Sequence, residues 1–128
     1  MQRLTQISGE QTLRLTHYGR RSGRPYQVTI WFVLDRTNLY LGTANANRQW
    51  VRNVKARPNV LLRIGGETSS GLVSELADFR ERQRVFGLFA RKYWFARPLM
   101  WLGRLLVALD VIADRRAVFR VRIDNDVN

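Results

Sequence analysis

Three arginines, Arg20, Arg21 and Arg24, stand within one short run that Gly19 and Gly23 bracket and Pro25 closes. Glycine permits positive φ and close backbone approach, so the run predicts a tight loop between two strands with exposed amides and guanidinium groups. Such a loop can hold a phosphate or a carboxylate through a nest of amide donors and bidentate arginine forks. The plainer reading is a hairpin turn with solvated arginines, and neither a Walker nor a dinucleotide glycine spacing is present. The remaining inventory narrows the chemistry. The chain has no cysteine, which excludes disulfides, thiolate catalysis and thiolate metal sites. Its one histidine, His17, cannot make a histidine cluster, and no carboxylate pair around it has metal-ligand spacing. Neither a metal site nor a Ser-His-Asp hydrolase is expected. His17 reads as a structural hydrogen-bonder at a strand end, and no residue is assigned as catalytic.

The 128 residues carry 22 Lys+Arg against 10 Asp+Glu, a net charge of +12, and nearly all the basic residues are arginine. Such a field attracts polyanions. Nucleic acid, an anionic membrane surface and a phosphorylated or polycarboxylate cofactor all satisfy it. Hydrophobic residues make up 45% of the chain, enough for a real core, and the length points to one domain over residues 1–128. The N-terminus Met1–Gln6 has no apolar secretory core, so a cytoplasmic location is expected.

The elements that must position the loop follow from periodicity. Thr12–His17 alternates, with Leu13 and Leu15 inward. Tyr26–Leu34 is rich in β-branched and aromatic residues and reads as a central strand. Its Trp31 reads as core rather than as a ring-stacking platform. Leu39–Thr43 follows the turn Asp35–Asn38 as a third strand. Asn47 is the expected N-cap of a helix Arg48–Ala56, which Arg57-Pro58 ends. Asn59–Ile64 and Thr68–Glu75 are strands around the Gly65-Gly66 turn, the second weakened by Ser69-Ser70-Gly71. Asp78–Tyr93 fits an amphipathic helix, and its Arg80–Arg84 face reads as solvated with Glu81 offering partial pairing. Ala96–Ala113 is more apolar but shorter than the roughly 20 residues a membrane span needs. It reads as a helix packed on the barrel or over the site; a membrane-surface helix is the alternative. Arg115–Ile123 closes the fold as a strand. The sum is a mainly β, α+β fold: a small barrel of about six antiparallel strands, a short helix after strand three and a helical insertion before the last strand.

The order of motifs resembles the deazaflavin-dependent nitroreductase and quinone reductase family. The matching stretches are Thr16–Pro25, the strand ending Trp31-Phe32-Val33, Leu39-Tyr40-Leu41 and Trp50–Val60. That family belongs to the split β-barrel, flavin-reductase-like superfamily, which also holds pyridoxamine phosphate oxidase. The resemblance implies binding of coenzyme F420, with FMN as the alternative, in a groove of the barrel. It implies hydride transfer from the reduced cofactor to a quinone, a nitro compound or another unsaturated acceptor. A chain without metal ligands or a triad can do such chemistry when the cofactor carries the reactive atom. The resemblance places Arg20, Arg21 and Ser22 at the cofactor's phosphate and carboxylate tail. It places Tyr26, Gln27, Val28, Thr29, Ile30 and Trp31 along the ring system, with the amides of Val28 and Ile30 at the ring's polar edge. Ala44 and Asn45 match a family turn. Trp50, Arg52 and Asn53 match a helix start beside the phosphate, where a helix N-terminus adds its positive end. Tyr93 and Trp94 resemble residues on the acceptor side. Tyr26, Thr29 and Ala44–Asn47 depart from the usual family residues at their positions. The expected partners are a small-molecule electron acceptor, a second copy in a homodimer and weak contact with a membrane surface, but neither metal nor nucleic acid. A non-catalytic basic barrel that binds single-stranded nucleic acid is the competing reading.

Overall fold

The computed structural model describes residues 10–36, 38–43, 45–93 and 116–124. The expected helix Ala96–Ala113, Trp94 and Ala44 lie outside the described residues. Six strands and two helices follow one another in chain order. They are β1 (Thr12–Tyr18), β2 (Pro25–Asp35), β3 (Asn38–Thr43), α1 (Gln49–Ala56), β4 (Asn59–Ile64), β5 (Glu67–Glu75), α2 (Phe79–Lys92) and β6 (Ala117–Ile123). All pairings are antiparallel, and the strands close into a barrel in the order β1-β2-β3-β6-β5-β4. The fold class expected from the sequence is the one observed.

Strand alternation sorts the side chains. Leu13, Leu15, Ile30, Phe32, Leu39, Leu41, Val60, Leu62, Ile64, Val73, Phe119 and Val121 fill the interior. Helix α1 plugs one end with Trp50, Val51 and Val54. Asn47 does not cap it. The N-cap is Arg48, without a side-chain cap bond, because Asn45 takes the turn instead and its Oδ1 accepts the Asn47 N–H at 2.9 Å. Helix α2 starts at the Asp78 cap, whose carboxylate accepts the Glu81 N–H at 2.9 Å. It covers the outward residues Val33, Tyr40 and Val118 with Val85, Phe89 and Tyr93. One half of the barrel's outside is thus sealed by a helix. The other half, the outward faces of β1, β4, β5 and the start of β2, is bare of any described element. No helix among the described residues is long and apolar enough to cross a membrane.

Candidate cofactor site

The basic loop is built by its own backbone and then tied to α1. The Gly19 N–H donates to the Arg24 carbonyl and the Gly23 N–H to the Gly19 carbonyl, each at 2.8 Å. Gly23 has φ of +73°, a conformation that costs other residues energy. Ser22 is spent on the turn, its hydroxyl accepting the Arg24 N–H at 3.1 Å. Arg20 folds back onto the helix: its backbone N–H and its Nη1 both donate to Asn53 Oδ1, at 3.1 and 2.8 Å. Asn53 is buried, and its Nδ2 lies 3.0 Å from Nδ1 of the equally buried His17. Because Asn53 Oδ1 serves Arg20, Nδ2 is the donor and His17 Nδ1 the acceptor, so the neutral imidazole carries its hydrogen on Nε2. Burial lowers the His17 pKa from its usual value, which agrees with a neutral ring.

The side chains that remain available include Arg21, which the resemblance singles out, and two that it does not, Arg24 and Arg57. Arg21 and Arg24 are exposed and make no side-chain hydrogen bond or ion pair among the described residues. The guanidinium of Arg57 lies 3.7 Å from the position a Gly23 Cβ would take. It joins the loop because Arg57 follows Asn53 by one helical turn. That i, i+4 spacing was the signal in the sequence, masked by reading Arg57 only as a helix stop. Arg52 is exposed on another face of α1. The loop therefore meets α1 at Asn53 and Arg57, its C-terminal half, and among the described residues no helix N-terminus faces it.

Beside the loop, β2 offers an open backbone edge. It pairs with β1 from Pro25 to Trp31 but with β3 only from Phe32 to Asp35, while β3 runs on along β6 to Thr43. The two strands part there. Along Tyr26–Ile30 the second edge of β2 has no strand partner among the described residues, so alternate N–H and C=O groups face the opening. Tyr26, 46% exposed, stacks on His17 at the loop end with ring centroids 5.8 Å apart. Gln27 and Thr29 face outward, whereas the side chains of Val28 and Ile30 turn to the core. Asn45 lies at the opening, its backbone held by the Thr43 hydroxyl. Trp50 is core, edge-on to Phe119 at 5.5 Å, and offers no surface to a ligand. Trp31 is the reverse. It is 38% exposed and stacks on Tyr93 with centroids 4.1 Å apart and planes 6° from parallel.

Tyr93 is fully buried and structural. Its hydroxyl accepts the Phe32 N–H at 3.2 Å and donates to the Gln11 carbonyl, filling the place where β1 runs out beside β2. Lys92 next to it donates to the Phe32 carbonyl at 2.9 Å and sits 3.6 Å from the Phe32 ring centroid. Burial pushes its pKa from 10.5 down to about 8, against the attraction of Glu10. Between those two values the unfolded chain binds more protons, so stability should rise with pH above 8. Above pH 10 the buried Tyr93, whose pKa is raised by burial, opposes it. A gain of about 1 kcal/mol between pH 7 and 9.5 is expected, discounted for the partial exposure of Lys92. Urea midpoints at both pH values should show it in the parent and not in Lys92→Met.

Comparison with known proteins shows the family. A family model for F420H(2)-dependent quinone reductases matches residues 2–122. The chain belongs to this family. A Mycobacterium tuberculosis protein provisionally named F420H(2)-dependent quinone reductase is 34% identical over 61 residues, covering 44% of this chain and 50% of that one. The chain thus spans half the length of the curated relative it matches. Among solved structures, an F420-H2 dependent reductase shares 20% identity with a TM-score of 0.68, over 88% of this chain and 94% of that one. A Listeria innocua protein provisionally described as a pyridoxamine 5'-phosphate oxidase shares 15% identity with a TM-score of 0.70, over 97% and 92%. At these identities the likeness speaks for the fold, the split β-barrel that the quinone reductase family shares with flavin-reductase-like proteins.

Proposed function

We propose that this quinone reductase family member is an oxidoreductase that binds reduced F420 and delivers its hydride to a quinone or another unsaturated acceptor, with FMN as the alternative cofactor. The match of the family model over residues 2–122 carries this reading. The edge of β2 that has no strand partner among the described residues, beside a loop with available guanidinium groups, supports it, because a ring with polar edges and an anionic tail needs both. The bound deazaflavin would supply the hydride, and the chain supplies position and charge. Arg21, Arg24 and Arg57 would hold the phosphate and carboxylates of the tail. The backbone of Tyr26–Ile30 would orient the ring by hydrogen bonds, and Tyr26 would pack against it. Arg20 acts indirectly, fixing the loop through Asn53.

Titration of the purified protein with F420 and with FMN tests this, read by quenching of cofactor fluorescence. Saturable quenching is expected, and Arg21→Ala should weaken it by about 1–3 kcal/mol through the lost charge-assisted contact. Turnover of menadione with each reduced cofactor in turn then identifies the hydride donor. Absence of both quenching and turnover would overturn the reading.

A further inference from the structure

On the bare half of the barrel two arginines face each other. Arg14 on β1 and Arg63 on β4 are direct cross-strand partners, both exposed. Like charges in that position oppose each other and cost stability. Neither forms an ion pair among the described residues. Arg14 is nevertheless held in place, its Nη1 donating to Gln27 Oε1 at 3.2 Å. The pair lies in an open groove of about 560 Å³ whose lining includes Thr16, Gln27, Leu61 and Thr68. The Gly65-Gly66 turn borders it, and a Cβ on Gly66 would meet nothing within 4 Å. Two acids are nearby: Glu10, its carboxyl carbon 3.4 Å from the position of a Gly65 Cβ, and Glu67, which follows the turn on β5 beside Ile64. The groove shares Gln27 with the β2 segment of the cofactor site, but it lies away from the basic loop: Arg14 stands five residues before Gly19, about 16 Å along β1.

We propose that the Arg14–Arg63 pair is a second anion site, for a small planar organic anion bearing one carboxylate or sulfonate. In the bound state Arg14 turns from Gln27 on β2 so that its guanidinium and that of its cross-strand partner Arg63 fork onto one planar acid group, which removes their mutual repulsion. Leu61, 38% exposed on β4 two residues before Arg63, offers an apolar contact for the body of the ligand. The volume suits a molecule of that class. The Thr16 and Thr68 hydroxyls supply further donors. The site stands independently of the redox reading.

Calorimetric titration of the full chain, without cofactor, with naphthalene-2-sulfonate and with uncharged 2-naphthalenemethanol tests it. One saturable site for the sulfonate is expected, weakened about tenfold by Arg14→Gln or Arg63→Gln and thirtyfold or more by both together. Arg21→Ala should leave it unchanged, which separates this groove from the loop. Without ligand, either glutamine variant should melt at an equal or slightly higher temperature, since a repulsion is relieved. Equal affinity for the uncharged analogue, or full binding by the double variant, would overturn the site. So would lower melting temperatures accompanying the loss, which would make the arginines part of the fold. Failure of the sulfonate to bind, with an oligonucleotide binding only when both arginines are present, would assign the pair to a polyanion and overturn it as well.

Discussion

Asn53→Ala should lose about 2–3 kcal/mol of stability and, with it, an ordered basic loop. One carboxamide satisfies the Arg20 N–H, the Arg20 guanidinium and His17 Nδ1, and alanine strands all three at a buried position. Urea unfolding gives the stability, and the amide resonances of Gly19–Arg24 report the loop. The same network has a defined pH response. The His17 pKa is lowered in the fold, so below about pH 6.5 the unfolded chain binds more protons and stability falls as pH drops. Asn53→Asp should reverse that sign. A carboxylate cannot donate to His17, but it pairs with the imidazolium, raising the folded pKa so that stability is present in acid and lost as pH rises. If Asn53→Asp follows the parent's pH profile, the assigned hydrogen-bond directions are wrong.

Gly71→Val should be as damaging by another route. Gly71 is buried on β5 between Val60 and Ile123 in the ladders. A Cβ there would lie 2.6 Å from Val121 Cγ1 and 3.1 Å from the Arg122 carbonyl oxygen. The second of these is backbone and cannot turn aside, so β5 and β6 would have to separate. A cost of about 2–3 kcal/mol is expected from overpacking at the seam, read as a lower urea midpoint. A midpoint unchanged by the valine would show that the seam is looser than drawn.

That glycine illustrates what residue patterns alone convey. Ser69-Ser70-Gly71 reads as a weak strand because glycine has low β-propensity. The structure keeps the strand because the glycine admits a neighbour, a reason that depends on a partner 50 residues away in sequence. Strand periods, turns and the Asp78–Tyr93 helix were legible because they are local. Trp31 and Trp50 were not, since burial depends on which side of the sheet a helix later covers. Trp31 points outward beside Tyr93, while Trp50 points into the barrel. The loop itself was legible as a basic glycine turn. That Arg20 also binds Asn53, and that Arg57 joins the exposed arginines, required the helix to be placed first.

Strand β6 carries a consequence for synthesis. It lies between β3 and β5 in the barrel, yet it comes last in the order of elements. A growing chain that has emerged only through α2 holds a five-stranded open sheet with two naked rims, at β3 and β5, and must wait for the final strand to arrive as a wedge between them. Edges of that kind recruit other strands when left exposed. The nascent chain is therefore open to misassociation until Ala117–Ile123 has emerged, and a stop placed ahead of Ala117 should yield aggregates rather than a smaller soluble domain.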